Sequence, residues 1–270
     1  MVYFAGPGRG ELTRLVLHAG GIEFKDTRVE MGDWPKIKND PASLPGQMFG
    51  QMPVFKDGNL VVAQSQAVAQ YAADLAFPTR TSVQRGRDGM FVAVWADVQG
   101  ELYKCLFGSD EGKAAARAGL SSAVAPLLAR VEKLLPADGF VNGGNTPTLG
   151  DLALFDVVTS PFPGLRALGV DLAAYPRLTA LVGRVADAAP LQAYLKARGF
   201  GGAAEAKAAV VEAEKSSSEA DAAGPAATEQ ARERELVYFA GPGRGELTRL
   251  VLHAGGIEFK DTRVEMGDWP

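Results

Sequence analysis

An α/β segment followed by an all-helical one is the fold class this sequence predicts, and three observations carry it. Over residues 1–78, short apolar runs of strand length alternate with helix-spaced ones. Over residues 83–200, the apolar stripes have helical spacing. The third observation is a repeat: Val237 to Pro270 is identical to Val2 to Pro35 at a constant offset of 235. An exact match of 34 residues is not chance, and its period is far longer than that of a solenoid.

Within the first segment, Val2 to Phe4 reads as a short strand, followed by a Gly/Pro turn through Gly10. From Glu11 the pattern is helical, with Leu12, Leu15, Val16 and Ala19 on one face and Gly20-Gly21 as the stop. Ile22 to Val29 alternates as a second strand, and a long Pro-, Gly- and Asp-rich loop follows it. Met52 to Phe55 and Leu60 to Ala63 are strands joined across Asp57-Gly58, a strong hairpin signal. Ser65 reads as the N-cap of a helix over Gln66 to Ala76. Strand, helix, strand, hairpin and helix in that order is the thioredoxin-like arrangement.

The second segment carries one stripe of Met90, Phe91, Val94, Trp95, Val98, Leu102 and Leu106, and another of Val124, Leu127, Leu128, Val131, Leu134 and Leu135. Thr148-Leu149-Gly150-Asp151 has capping-box character, with Asp in place of Glu. Leu178, Leu181, Val182 and Val185 mark a last helix, halted near Pro190. From Ala203 to Leu236 there is no aromatic residue, and Ala, Glu, Lys and Ser dominate. Such a stretch buries too little apolar surface to offset its ordering entropy, so residues 201–236 read as a linker, partly helical at most. Residues 237–270 are then the start of a second α/β domain. They read either as a truncated gene product or as one end of a longer tandem protein.

Composition bounds the chemistry. A formal net charge of −4 argues against a nucleic-acid protein, which would show a basic face. No apolar run reaches the roughly 18 residues of a membrane span, and the N-terminus has no signal-peptide core. The single cysteine, Cys105, reads as a buried small apolar residue, and a reducing, cytoplasmic setting is the default. Gly6-Pro7-Gly8-Arg9-Gly10 has the wrong glycine spacing for a dinucleotide loop. The two histidines, His18 and its duplicate His253, neighbour no other ligand type, so no metal site is expected and His18 reads as a helix-surface residue.

A thioredoxin-like fold without Cys-x-x-C cannot run dithiol exchange, so any thiol must come from a ligand. Tyr3-Phe4, Gly8-Arg9-Gly10-Glu11, Asp33-Trp34-Pro35-Lys36-Ile37-Lys38, Phe49-Gly50-Gln51-Met52-Pro53 and Gln64-Ser65 resemble the glutathione-binding motifs of cytosolic glutathione transferases. The class they are most similar to is sigma, which includes the glutathione-dependent prostaglandin D synthases. The resemblance covers residues 1 to about 200 and departs from the family over Asn39 to Met48, which looks longer than the usual loop.

What the resemblance implies is the glutathione transferase architecture, with glutathione as co-substrate and small hydrophobic electrophiles as partners. Tyr3 would donate its hydroxyl to the glutathione sulfur; the alternative is a core tyrosine. Lowering a thiol pKa from about 8.5 by about two units takes roughly 2.7 kcal/mol of preferential thiolate stabilisation. A phenol donor in a dry site supplies energy of that order. Arg9 would support the site electrostatically, or form a surface salt bridge. Trp34 and Lys38 would contact the glycine carboxylate, or remain solvated. Gln51 borders the Met52-Pro53 step, where a cis Pro53 would leave the Met52 backbone to pair with the peptide. Gln64 and Ser65 would hold the γ-glutamyl carboxylate at a helix N-terminus.

The family's two-fold dimers lend an acidic residue to the partner's glutathione, and Asp97 and Glu101 are both candidates. The acceptor pocket would lie near Tyr103 and Leu106. Conjugation of soft electrophiles is the activity expected. The alternatives are a prostaglandin-type isomerase and a non-enzymatic crystallin-like or ligand-binding relative.

Overall fold

The first β-strand is only three residues long, so its place in the molecule is fixed by what pairs with it. The structure, a computed structural model, describes residues 1–160, 164–199, 233–241, 243–265 and 267. Two compact units divide the chain, Met1–Ala222 and Ala223–Pro270. Of the expected linker over 201–236, residues 201–232 lie outside the described residues.

In the first unit, β1 (Val2–Phe4) leads through a 3-10 turn at Gly8–Gly10 into α1 (Glu11–Ala19). β2 follows (Thr27–Val29), then the short helices α2 (Trp34–Lys38) and α3 (Leu44–Gln47). The hairpin β3 (Val54–Asp57) and β4 (Leu60–Ala63) leads to α4 (Ser65–Ala76). The sheet order is β2-β1-β3-β4, parallel between β1 and β2 and antiparallel elsewhere. The helical half comprises α5 (Ser82–Lys104), α6 (Asp110–Leu134), α7 (Leu149–Thr159), α8 (Pro176–Ala186) and α9 (Gln192–Ala197).

Helix α1 is the pivot of this unit. Every residue from Glu11 to Leu17 is buried, including Arg14. It packs on α4 within the α/β half and on α7 of the helical half, so one apolar cluster runs through both. Burying the Leu12, Leu15 and Leu17 side chains is worth about 1.5–3 kcal/mol each.

Several sequence expectations are corrected. The second strand is Thr27–Val29 rather than Ile22 to Val29, because only three residues reach β1. The third starts at Val54, not Met52. Ser65 is not an N-cap: Gln64 holds that position with φ 74°, its carbonyl accepting from Val68 N at 2.9 Å, and Ser65 is the first helical residue. The long loop contains α2 and α3. Met90 and Leu134 are exposed, and Leu106 and Leu135 lie past their helix ends. Helix α8 ends at Ala186, and Pro190 sits in a 3-10 turn that leads into α9.

The second unit has β5 (Glu235–Phe239), α10 (Arg244–Ala254) and β6 (Lys260–Val264). β5 begins ahead of the copied Val237, inside the stretch assigned to the linker. The β5–β6 register Val237↔Thr262, Tyr238↔Arg263, Phe239↔Val264 repeats that of the identical residues in β1 and β2. Among the described residues no helix is long and apolar enough to cross a membrane.

Candidate active site

Strand register brings the candidate residues together. Val2 pairs with Val54 and Val54 with Ala63, so the next residues along, Tyr3, Pro53 and Gln64, stand at one level at one end of the sheet. The Met52–Pro53 peptide is cis, the geometry the resemblance implied. The Gln64 Nε2 donates to Gln51 Oε1 at 3.1 Å, which ties the loop before β3 to the start of α4. Ser65 opens α4, where unpaired N–H groups and the helix dipole favour a carboxylate.

Tyr3 is buried, and its hydroxyl oxygen accepts from Arg9 N at 2.8 Å. This contact requires glycine on both sides of Arg9. A Cβ on Gly10 would lie 2.4 Å from Tyr3 Cδ1. One on Gly8, whose φ is +53°, would lie 2.6 Å from the Tyr3 hydroxyl. Burial raises the Tyr3 pKa strongly, reinforced by the neighbouring Tyr103 phenol and opposed by Arg9. The hydroxyl is therefore a proton donor throughout the neutral range, not a phenolate.

Arg9 supports this geometry with its backbone, while its guanidinium lies 4.9 Å from the centre of the Tyr103 ring. Trp34 meets Phe4 edge-on with ring centres 5.5 Å apart, and Phe4 meets Tyr3 likewise at 5.4 Å. Lys38 is exposed at the end of α2, its carbonyl 3.3 Å from where a Gly50 Cβ would stand.

Asp97 is exposed on α5. Glu101, one turn on, accepts from Lys104 Nζ at 2.7 Å. Cys105 is buried and its thiol pKa is raised by that burial. His18 is half-buried rather than on an open helix surface, its ring stacked on Tyr194 at 4.2 Å.

Two features escaped the sequence reading. Arg14, fully buried, donates to Phe4 O, to Gly6 O and to both oxygens of Asp26, and it lies 5.6 Å from the Tyr3 ring centre. It fixes the turn that carries Arg9. A cavity of about 410 Å³ opens beside it, lined by Glu11, Arg14, Asp26, Arg28, Tyr194 and Arg198. The charges there are paired among themselves. The second feature is the approach of Tyr103 to Tyr3: the point where a Gly8 Cβ would stand lies 2.6 Å from the Tyr3 hydroxyl and 3.3 Å from the Tyr103 hydroxyl. Below it, Asp156 of α7 is completely buried and accepts from Trp95 Nε1 at 2.8 Å. Burial and then the Glu11 charge push its carboxyl up to about 7.

In sequence and fold the chain is similar to known proteins. Residues 1–74 match the family described as "Glutathione S-transferase, N-terminal domain", and residues 96–198 match "Glutathione S-transferase, C-terminal domain". The chain is 30% identical over 171 residues to the glutathione S-transferase class-mu 28 kDa isozyme of Schistosoma haematobium, covering 58% of this chain and 76% of that protein. It is 28% identical over 210 residues to the hematopoietic prostaglandin D synthase of Gallus gallus, covering 73% and 95%. Among solved structures, it is similar to a sigma class GST of Fasciola hepatica, with a TM-score of 0.60 at 26% identity, over 73% of this chain and 94% of that one.

Proposed function

Because the chain belongs to the glutathione S-transferase family, we propose that it is an enzyme that joins the thiolate of glutathione to soft, small hydrophobic electrophiles. The observation that carries this reading is the buried Tyr3 hydroxyl. It stays protonated, accepts from Arg9 N, and stands level with Pro53 and Gln64 at one end of the sheet.

In this reading Tyr3 donates to the glutathione sulfur and favours the thiolate. The thiol proton leaves to solvent, and the sulfur lone pair forms the bond to carbon. Gln64 and Ser65 hold the γ-glutamyl carboxylate, and the Met52 backbone pairs with the peptide beside Gln51. Trp34 and Lys38 take the glycine carboxylate. The protein works as a cytoplasmic homodimer, with Asp97 or Glu101 reaching the partner's glutathione. Asp97 suits this better, since Glu101 is engaged by Lys104.

Retention on immobilised glutathione, combined with turnover of a chlorodinitro-aromatic electrophile, tests the reading. We expect both. Retention without turnover of any electrophile would replace it with a ligand-binding role. Absence of retention would remove glutathione altogether.

A further inference from the structure

The cavity beside Arg14 is lined by none of Tyr3, Arg9 and Tyr103, so it is distinct from the site proposed above. The β1–α1 turn, α1, the approach to β2, and α9 form its walls. At about 410 Å³ it has the size of a small-molecule site. Its lining combines rings and charge. Tyr194 stacks on His18 with ring centres 4.2 Å apart and an interplanar angle of 18°, and Phe24 meets His18 edge-on at 5.5 Å. Pro7 and Ala197 add apolar wall.

Each arginine there has a carboxylate partner, yet the charges do not balance. Arg14, Arg28 and Arg198 bring three positive charges against two negative ones from Glu11 and Asp26, an excess of one. Burial lowers the His18 pKa, so that ring adds no charge at neutrality. Both carboxylates are engaged. Glu11 Oε1 accepts from the Tyr194 hydroxyl at 2.7 Å and from Arg198 at 2.8 Å. Asp26 Oδ2 accepts from Arg14 and from Arg28, each at 3.0 Å. Donors, by contrast, are left over. The Arg198 side chain is 6% exposed, and its buried Nε has no partner among the described residues. Arg28 gives its Nε to Asp26 and its Nη1 to Ala5 O, which leaves Nη2 without an acceptor among the described residues. About half of that side chain is open to solvent.

An unspent guanidinium nitrogen beside apolar rings suits a planar anion, because a carboxylate accepts guanidinium N–H groups and an aromatic body fills the space between rings. An excess of one charge matches a monoanion, whereas a phosphate monoester brings about two. We propose that this cavity is a second ligand site, one that takes a small aryl carboxylate. The carboxylate accepts from Arg28 Nη2, and the ring lies against His18, Phe24 and Tyr194. The bonds among Arg14, Asp26, Glu11 and Arg198 hold the floor of the site in place.

Titration calorimetry of the full chain with 2-naphthoate, at neutral pH and constant ionic strength, tests this. We expect saturable binding with a dissociation constant of about 1 mM or tighter, the ordinary yield of a ligand of this size. The neutral 2-naphthamide should bind about tenfold more weakly or worse, since it offers no charge to Arg28. Arg28→Gln should weaken 2-naphthoate by about fivefold or more, a modest loss because the guanidinium is half exposed. Ala197→Trp, at an exposed position on α9, should abolish binding by filling the cavity. Thermal unfolding checks that both variants fold, and should Arg28→Gln fail to, Ala197→Trp decides alone. Absence of saturable binding would overturn the proposal, and so would equal affinity for 2-naphthamide. A loss of less than about twofold in either folded variant would put the probe elsewhere and overturn it too. No glutathione enters the titration, so its outcome is separate from that of the proposed function.

Discussion

Tyr3 has one proton and its oxygen already receives the Arg9 backbone N–H, so its remaining bonding capacity points at whatever occupies the sheet end. Replacing Tyr3 with Phe keeps the buried ring that stacks edge-on against Phe4 and removes only the donor. Turnover should fall by one to three orders of magnitude, at roughly 1.4 kcal/mol per order, while glutathione affinity measured calorimetrically changes little. Turnover within a factor of about two of the unaltered chain would refute activation by Tyr3. That residue, with Arg9, Gln51, Pro53, Gln64 and Ser65, was legible because each lies in a short motif at a strand end. Arg14 was not. Its partners are Asp26, across β2's approach, and carbonyls of the turn, and no local pattern joins them. Tyr103 was legible only as a pocket neighbour, since its approach to Tyr3 exists solely through packing of the two halves.

At the scale of elements, the helical half depends on how the N-terminus of α7 is satisfied. Asp151 accepts from Thr148 N and from Val141 N, both at 2.9 Å, and Asp88 of α5 accepts from Gly150 N and Thr148 Oγ1 at the same distance. Asp88 is itself completely buried and paired with Arg80. Burial pushes the Asp151 carboxyl up to about 6, with its backbone donors opposing the shift. Asp151→Ala leaves two buried N–H groups without partners, at a cost of about 2–4 kcal/mol. Urea denaturation of the full chain should show that loss, and a change under about 0.5 kcal/mol would mean water replaces the carboxylate. The capping box was readable from its spacing, and so were the long stripes. Helices α2 and α3 were not, because Pro35, Pro45 and Gly46 spell a loop; the Ser43 hydroxyl, which accepts from Gly46 N and donates to Ile37 O, ties the two together, and Pro45 is buried.

At the scale of the whole molecule, the repeated segment is a test of what sequence alone determines. In both copies the phenol receives a backbone N–H, from Arg9 at 2.8 Å and from Arg244 at 3.1 Å. In both, the helix arginine binds the following aspartate, Arg14 to Asp26 and Arg249 to Asp261. Local structure therefore follows the sequence, but burial does not. Leu12, Leu15 and Val16 are each 0% exposed, whereas Leu247, Leu250 and Val251 are 69%, 58% and 60% exposed. The difference is the partner: α4 and α7 cover α1, and α10 has no counterpart of either among the described residues. A strand–helix–strand unit with an open apolar face holds little stability by itself. The copied residues also include equivalents of Tyr3, Arg9 and Trp34, as Tyr238, Arg244 and Trp269, but none of Lys38, Gln51, Pro53, Gln64 or Ser65. Trp269 lies outside the described residues. One phenol without the carboxylate contacts binds no tripeptide, so this 270-residue chain should take up one glutathione. Removing residues 201–270 should leave turnover and that stoichiometry unchanged, and should lower the tendency to aggregate by removing the exposed Leu247, Leu250 and Val251. Titration calorimetry of both forms, with light scattering alongside, checks this. Two glutathiones per full-length chain, or loss of turnover on truncation, would mean that the second copy finds in the rest of the assembly the partner that its own sequence lacks.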